Sequence, residues 1–238
     1  MITLVTGASS GKYVNFLKLL ITNVITVSNN NNIDIRLIIY DLGMTELEKN
    51  EIIKIPNIIF ETFNYDLYPP HIDIKKFNGK NCSYAWKPII FYDVCEKYGG
   101  LVHWMDTRNI YSNFKNLITI LEKHYLYTPI SFGSIKRRTH QKCLHFIDGL
   151  KYQDLDSRSG GAIAVNYNLS WVKQFVKEWR DFALIKECIV PEGSDRTNHR
   201  QDQSILSILY YKYKDIHKFK DVRHKVNFTF HNHVHLNK

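Results

Sequence analysis

The chain is poor in the features that would make it a zinc ribbon, a disulfide scaffold or a membrane protein. Its 238 residues include four cysteines, Cys82, Cys95, Cys143 and Cys188. They lie far apart with no Cys-x-x-Cys pair, which excludes a zinc ribbon, and a chain of this size requires no disulfides. Reduced thiols in a cytosol-like compartment are the simplest account, with a bridge at Cys82 or Cys188 left open. No apolar run reaches the roughly 18 residues of a membrane-spanning helix, and the first residues enter a strand-like segment without a signal-peptide pattern. The expectation is a cytoplasmic protein with no membrane span. No internal repeat is visible. Acidic residues are in deficit, 23 Asp and Glu against 32 Lys and Arg, so the net charge of +9 draws anions. The basic residues are scattered. The one dense cluster, Lys136-Arg137-Arg138 followed by His140, lacks the length and interleaved aromatics of a nucleic-acid groove, so no nucleic-acid partner is expected. A solvated loop and a phosphate-facing loop both remain open for it.

What is present suits a globular protein. A hydrophobic content of 44% with 23% charged residues argues against disorder. The length fits one α/β domain over residues 1–238 with a full core. Ile2 to Val5 reads as a strand, followed by a Gly/Ser turn and a helix from near Tyr13. Phe16 to Val27 is amphipathic and runs on into a strand or loop. Further strands are expected at Ile33 to Tyr40 and Ile58 to Phe63, with a short polar helix at Met44 to Lys54 between them. This β-α-β-α-β alternation predicts parallel strands with helices on both faces. Tyr65 to Ser83, with Pro69 and Pro70, reads as a long loop over the front of a site. Later come a strand at Tyr127 to Phe132, the basic loop, and a strand at Gly161 to Asn166. Trp171, Phe175, Val176 and Trp179 then lie on a core-facing helix. A last helix starts near Asp202, and the tail from Val226 alternates weakly.

The stretch YAWKPIIFYDVCEKYGGLVHWMDTRN, Tyr84 to Asn109, is the most informative. Pro88 suits a first helical position, and Ile90, Phe91, Val94, Cys95 and Tyr98 continue at helical spacing until Gly99 and Gly100 end the helix. Leu101, Val102, Trp104 and Met105 form an apolar run broken only by His103, as in a central strand covered on both faces. Asp106 therefore closes that strand. Ligands of open α/β sheets gather beyond the carboxyl ends of strands, and a carboxylate there can bind a metal or a hydroxyl. A plain cap on the next turn, ahead of a helix carrying Phe114, Leu117, Ile118 and Leu121, is the rival account.

The N-terminal VTGASSGKY is similar to the glycine turn of short-chain dehydrogenases, where glycine lets the backbone approach a pyrophosphate. Tyr13 stands where that turn needs its third glycine, and a P-loop fails on both spacing and Tyr13. Two Tyr-x-x-x-Lys pairs, Tyr111/Lys115 and Tyr210/Lys214, have no serine placed to complete that chemistry. An NAD(P)-dependent oxidoreductase using this turn stays as one alternative. A non-catalytic module that binds anions or nucleic acid is another.

Taken in order, YPPHI, YAWKPIIFYDV, the strand ending in Asp106, Thr139-His140, Ser159-Gly160-Gly161-Ala162-Ile163, CIVPEGS and RQDQSILSIL resemble the DUF1647 group of GT-A-like nucleotide-diphospho-sugar transferases, over about Tyr65 to Tyr211. The resemblance implies a GT-A, Rossmann-like fold with a mixed, mostly parallel central sheet and helices on both faces. It implies transfer of a hexose or pentose from a nucleotide-diphosphate donor, UDP-linked, to a hydroxyl on a glycan or glycoprotein acceptor. Thr6, Gly7 and Ala8 would lie beside the nucleoside. Lys87, Asp106 and Arg108 would handle the diphosphate. Gly160 and Gly161 would lie under the donor sugar, although Ser159-Gly160-Gly161 is equally a turn before a strand. Asp202, in an Asp-Gln pair with Gln203, would accept the proton of the reacting hydroxyl or hydrogen-bond the sugar, while also suiting a helix N-cap. His140 would touch phosphate or acceptor, or serve structure alone.

The Asp-x-Asp pattern of better-known GT-A enzymes is altered here, because its third position is Arg108. Two versions of the site follow. In one, Asp106 and a tail histidine, His231 or His233, hold Mn²⁺. In the other, Lys87 and Arg108 supply the positive charge without a metal, since arginine can grip phosphate through two parallel N–H groups. The HNHVH segment also suits a solvated tail.

Overall fold

The computed structural model describes residues 1–74 and 83–230. In chain order they form β1 (Ile2–Ala8), α1 (Lys12–Asn31), β2 (Ile35–Asp41), α2 (Glu46–Ile53), β3 (Ile58–Thr62), α3 (Trp86–Tyr98), β4 (Leu101–Met105), β5 (Asn109–Tyr111) and α4 (Lys115–His124). Then follow β6 (Leu126–Tyr127), β7 (Ile130–Ser134), α5 (Ile135–Arg138), α6 (Gln141–Phe146), β8 (Asp156–Arg158), β9 (Ala162–Asn166), α7 (Ser170–Leu184), α8 (Lys186–Ile189), α9 (Asp202–His217) and β10 (Phe228–Phe230). The main sheet has the order β3-β2-β1-β4-β9-β6. Strands β1 to β4 pair in parallel, and β9 alone runs against its neighbours. This is the mixed, mostly parallel sheet that the alternating pattern predicts.

Strand residues alternate between two cores, as a period of two requires. Val5, Ile38, Val102, Trp104, Ile163 and Val165 pack with α3, α7 and α9 on one face. Leu4, Ile39, Met105, Ala162 and Ala164 pack with α1 and α4 on the other. Helix α1 buries Val14, Leu17, Leu20, Ile21, Val24 and Val27, a stripe at helical spacing. It runs further than its amphipathic core suggests. The asparagine run closes it, with Asn32 in the left-handed region at φ 51° and its N–H donating to Asn29 O, a conformation asparagine tolerates better than most residues. Helix α2 starts on a capping box between Thr45 and Glu48.

Five local expectations are revised. Helix α3 begins at Trp86, so Pro88 is its third residue rather than its first. Its missing N–H still falls among the four that a helix start leaves unbonded. The strand expected at Tyr127 to Phe132 breaks at Pro129: β6 stays at the edge of the main sheet, and β7 pairs with β8 in a separate ribbon. The basic segment is a turn of helix, α5, whose Arg137 N–H donates to Ser134 Oγ. Beyond Asp106 the chain first makes β5, which pairs antiparallel with β10 and so brings the tail back beside the site. Trp171 is only half-buried, whereas Phe175, Val176 and Trp179 are core residues, as their spacing predicts. Of the long loop at Tyr65 to Ser83, two short 3₁₀ turns at Tyr65–Leu67 and Pro70–Ile72 are described. Its residues 75–82, Cys82 included, lie outside the described residues.

Candidate active site

The order β3-β2-β1-β4 reverses direction between β1 and β4, the place where an open sheet leaves a crevice beyond its carboxyl ends. A cavity of about 420 Å³ lies there. Gly7, Ala8 and Tyr13 line it from the first turn, and Lys87, Asp106 and Arg108 from the α3 and β4 side. The sequence fixes this locally. Leu101 to Met105 have no reason to leave the sheet, and Asp106 is the first polar residue after them. Its N–H donates to Gly161 O at 2.9 Å, which holds the turn against the start of β9.

The Lys87 ammonium is the centre of the site. It is 4% exposed, and Nζ donates to Asp106 Oδ1 at 3.1 Å and to Gly160 O at 3.0 Å. Asp202 Oδ2 lies 3.4 Å away, within ion-pair range, but accepts no hydrogen bond. Burial opposes the charge on Lys87, yet Asp106 and Asp202 outweigh it and hold the ammonium above its ordinary range. The rings of Trp104 and Tyr84 flank it at 5.5 and 5.7 Å. Asp106 Oδ1 also accepts from the Trp104 indole at 2.8 Å, while the side chain remains 46% exposed toward the cavity.

Asp202 opens α9. The residue before it, Gln201, has φ 47° and ψ −117°, a conformation natural only to glycine. Asp202 is 4% exposed, and burial pushes its carboxyl from 3.8 up to about 6 against the pull of Lys87. The folded protein thus keeps a proton between about pH 4 and 6 that the unfolded chain has released. The shift is worth about 3 kcal/mol, so stability falls by up to that amount as pH rises through this window and is level above it. Urea unfolding at a series of pH values is expected to show this slope in the wild type and to lose it in Asp202→Asn.

Two glycines make the carboxylate geometry possible. A Cβ at Gly160 would stand 2.7 Å from Asp202 Oδ2, and one at Gly161 would stand 2.8 Å from Asp106 Oδ2. The need is for room, since neither residue has a positive φ. Beneath them, Asn109 Nδ2 donates to Gly161 O at 2.9 Å and to Tyr111 Oη at 3.3 Å. Tyr111 Oη and His103 Nε2 are 2.8 Å apart, and His103 Nδ1 lies 2.9 Å from Ile163 O. The carbonyl requires the proton on Nδ1, so Tyr111 donates to Nε2. Burial pulls His103 down to about 4, so it stays neutral at physiological pH.

No protein-family model matches the chain, and no curated protein sequence does. Solved structures do. A galactosyltransferase, LgtC, in complex with donor and acceptor sugar analogues matches at TM-score 0.56 and 17% identity, covering 88% of this chain and 70% of that one. Mouse xyloside xylosyltransferase 1 matches at TM-score 0.56 and 8% identity, covering 90% and 83%. The bifunctional glycosyltransferase WbbM matches at TM-score 0.57 and 12% identity, covering 89% of this chain and 37% of that one. The fold is that of the GT-A glycosyltransferases.

On this GT-A frame the residues singled out in the sequence separate into two sets. Gly7, Ala8, Lys87, Asp106 and Arg108 line the cavity, and Gly160, Gly161 and Asp202 adjoin Lys87 and Asp106. Of the others, Thr6, Gln203 and His140 are not among the residues that line the cavity. Thr6 is fully buried in β1. Gln203 Nε2 donates to Ser157 Oγ at 3.0 Å. His140 caps α6, its Nδ1 accepting from the Lys142 N–H at 3.2 Å. His231 and His233 lie outside the described residues, which end at Phe230 in register with Asn109. Sequence reasoning missed Trp104 as a partner of Asp106, although two residues apart on a strand share a face. It also missed Tyr84, Trp86, Leu42 and Gly43 as cavity wall.

The described residues do not by themselves fit a divalent ion. Among them no group of three or more His, Cys, Asp or Glu gathers to hold a metal. Asp106 is the carboxylate they offer at the cavity, and it already holds an ammonium. The dinucleotide alternative meets a separate obstacle. The amide of Gly11, at the start of α1 where a pyrophosphate would dock, donates to Glu48 Oε1 at 2.8 Å. The chain's own carboxylate occupies the anion position.

Among the described residues no helix is long and apolar enough to cross a membrane.

Proposed function

We propose that the protein is a glycosyltransferase that moves a hexose or pentose from a nucleoside diphosphate donor, UDP-linked, to a hydroxyl on a glycan or glycoprotein. The observation that carries this reading is the Lys87 ammonium, buried between two carboxylates at the carboxyl ends of β1 and β4 in a GT-A frame. The ordered motifs that resemble the DUF1647 group support it. Gly7 and Ala8, packed directly against Leu42, form with it and Gly43 a cavity wall that suits a nucleoside. Lys87 and Arg108 face the diphosphate, and Asp106 orients Lys87 and accepts from a sugar hydroxyl. The space left by Gly160 and Gly161 takes the sugar.

In the transfer, the acceptor oxygen bonds to the anomeric carbon as the bond from that carbon to the phosphate oxygen breaks. The electron pair leaves with the diphosphate, whose charge fixed cations stabilise. Asp202, ionised above about pH 6, takes the acceptor proton. Every role is filled by a residue of this chain.

Thermal unfolding with UDP, GDP and NADP, each with and without Mn²⁺, tests the reading. UDP at a hundredfold excess over its Kd is expected to stabilise by about 2.7 kcal/mol, or roughly 5–10 °C in a chain of this size, without added metal. Asp106→Ala is expected to keep the fold and to lose both the shift and donor hydrolysis. A shift from NADP alone, or from no nucleotide, contradicts the proposal. A UDP shift that appears only with Mn²⁺ contradicts the metal-free version, and its loss in His231→Ala or His233→Ala would then assign the missing ligand.

A further inference from the structure

Three arginines, Arg138, Arg196 and Arg200, sit on two segments that meet through the Arg200 N–H and the Arg138 carbonyl, and Arg196 reaches the cavity-lining Tyr84. Hydrogen bonds tie the backbone of Arg138 to that of Arg200. The Arg200 N–H donates to Arg138 O and to Ser204 Oγ, each at 2.9 Å, and Ser204 Oγ donates to Arg138 O at 2.6 Å. His199 fixes the same loop. Its Nδ1 accepts from the His140 N–H at 3.2 Å, and its Nε2 lies 3.0 Å from Ile189 O. Arg138 Nε donates to Phe132 O at 3.1 Å. Arg196 Nη1 donates to Tyr84 Oη at 3.0 Å, with the guanidinium 5.7 Å from the ring centre. Lys87 Nζ also neighbours the Tyr84 ring, at 5.7 Å. One cavity-lining tyrosine therefore links Arg196 to the centre of the site.

Among the described residues none of the three arginines has an ion pair, and the nearby acids along the chain are engaged elsewhere. Asp195 Oδ1 accepts from the Thr197 N–H and hydroxyl, and Glu192 pairs with Lys142. Burial, followed by the charges of Arg138 and Arg196, pushes Arg200 below its ordinary range. Like charges held this close to one another are unfavourable unless an anion joins them. Beside Arg138, the buried Thr139 hydroxyl has no hydrogen-bond partner among the described residues.

We infer that Arg138, Arg196 and Arg200 form a subsite for an acceptor sugar that carries an oxyanion, a phosphate or sulfate ester or a carboxylate. The inference rests on the cavity being a glycosyl-transfer site. Arg200 lies two residues before Asp202, so an anion at the arginines belongs on the acceptor side of the reacting hydroxyl. Lys87 and Arg108 meet the donor diphosphate. Planar guanidinium groups bind such oxyanions through paired N–H groups.

The test is calorimetric titration of the full chain at low salt, with UDP saturating so that the diphosphate position is filled. The probes are glucose, glucose 6-phosphate, glucose 6-sulfate, glucuronate, inorganic phosphate and a short oligonucleotide. At least one charged sugar is expected to bind tenfold or more tightly than glucose, and the three charged sugars compared identify the anion. In R196A/R200A that advantage should vanish while UDP affinity stays within twofold, which also reports that the variant is folded. R196K/R200K should recover only part of the advantage. Charged and neutral sugars binding alike, or an advantage that survives R196A/R200A, would overturn the subsite. So would inorganic phosphate binding as tightly as every charged sugar, or a short oligonucleotide binding more tightly than all of them. If UDP itself does not bind, the transferase reading fails at the first step, whatever the sugars do.

Discussion

Lys87→Met is expected to abolish donor hydrolysis and to make stability strongly dependent on pH. The ammonium is the counter-charge for Asp106 and Asp202 and the best placed cation for a leaving diphosphate. Removing one preorganised electrostatic group of this kind lowers kcat by roughly 10²–10³. The stability effect has a clear sign. Without Lys87 the buried Asp202 loses its partner but keeps the repulsion of Asp106, so its carboxyl rises beyond the value of about 6 that it has in the wild type. At pH 8 the variant must ionise an unpaired buried acid or fold with it protonated. Breaking a buried pair from one side costs about 3–5 kcal/mol. At pH 5 Asp202 is protonated and much of that loss disappears. Urea unfolding at the two pH values measures the difference. Equal destabilisation at both would mean that Lys87 does not counter the two carboxylates.

Gly160→Ala and Gly161→Ala are expected to be nearly as damaging to activity, for a different reason. Each added methyl group would stand under 3 Å from one carboxylate oxygen, Asp202 in the first case and Asp106 in the second. Overpacking of this kind costs about 1–3 kcal/mol. The larger consequence is positional, because a shift of about 1 Å in a reacting group can lower the rate a hundredfold. Gly161→Ala should therefore weaken donor hydrolysis by displacing Asp106. Gly160→Ala, whose methyl group points at Asp202, should act mainly by slowing transfer, with a smaller cost to the seat of the donor sugar. Steady-state kinetics separate the two, through KM for the donor in one case and kcat in the other. Wild-type kinetics in both would show that these glycines are only a turn before β9.

Much of the fold was legible because the signals are local. The parallel β1-to-β4 frame follows from alternating strand and helix patterns, and the apolar run at Leu101–Met105, broken only by His103, placed Asp106 at the end of a buried strand. What was not legible depends on distant partners. The pairing of Asn109–Tyr111 with Phe228–Phe230 joins the middle of the chain to its tail, and three residues carry too little pattern to announce a strand. The break at Pro129 was visible as a proline. That the chain would leave the main sheet there depends on β8, which supplies the new partner.

The same division holds at the site. The sequence pointed to Lys87, Asp106, Gly160, Gly161 and Asp202 separately. Nothing local says that one ammonium touches both carboxylates, or that each glycine makes room for one of them. His140 and Gln203 carried the same weight in the sequence, but they engage the α6 amide of Lys142 and the Ser157 hydroxyl. The strained backbone at Gln201 has no signature in a residue type that does not favour it.

The most direct test of the central claim is a crystal structure of the protein soaked with a UDP-hexose. The account predicts the diphosphate between Lys87 and Arg108, the uracil against the Gly7 and Leu42 wall, and the sugar over Gly160 and Gly161 within reach of Asp202. A diphosphate bound away from Lys87, or a site left empty at saturating donor, would contradict it.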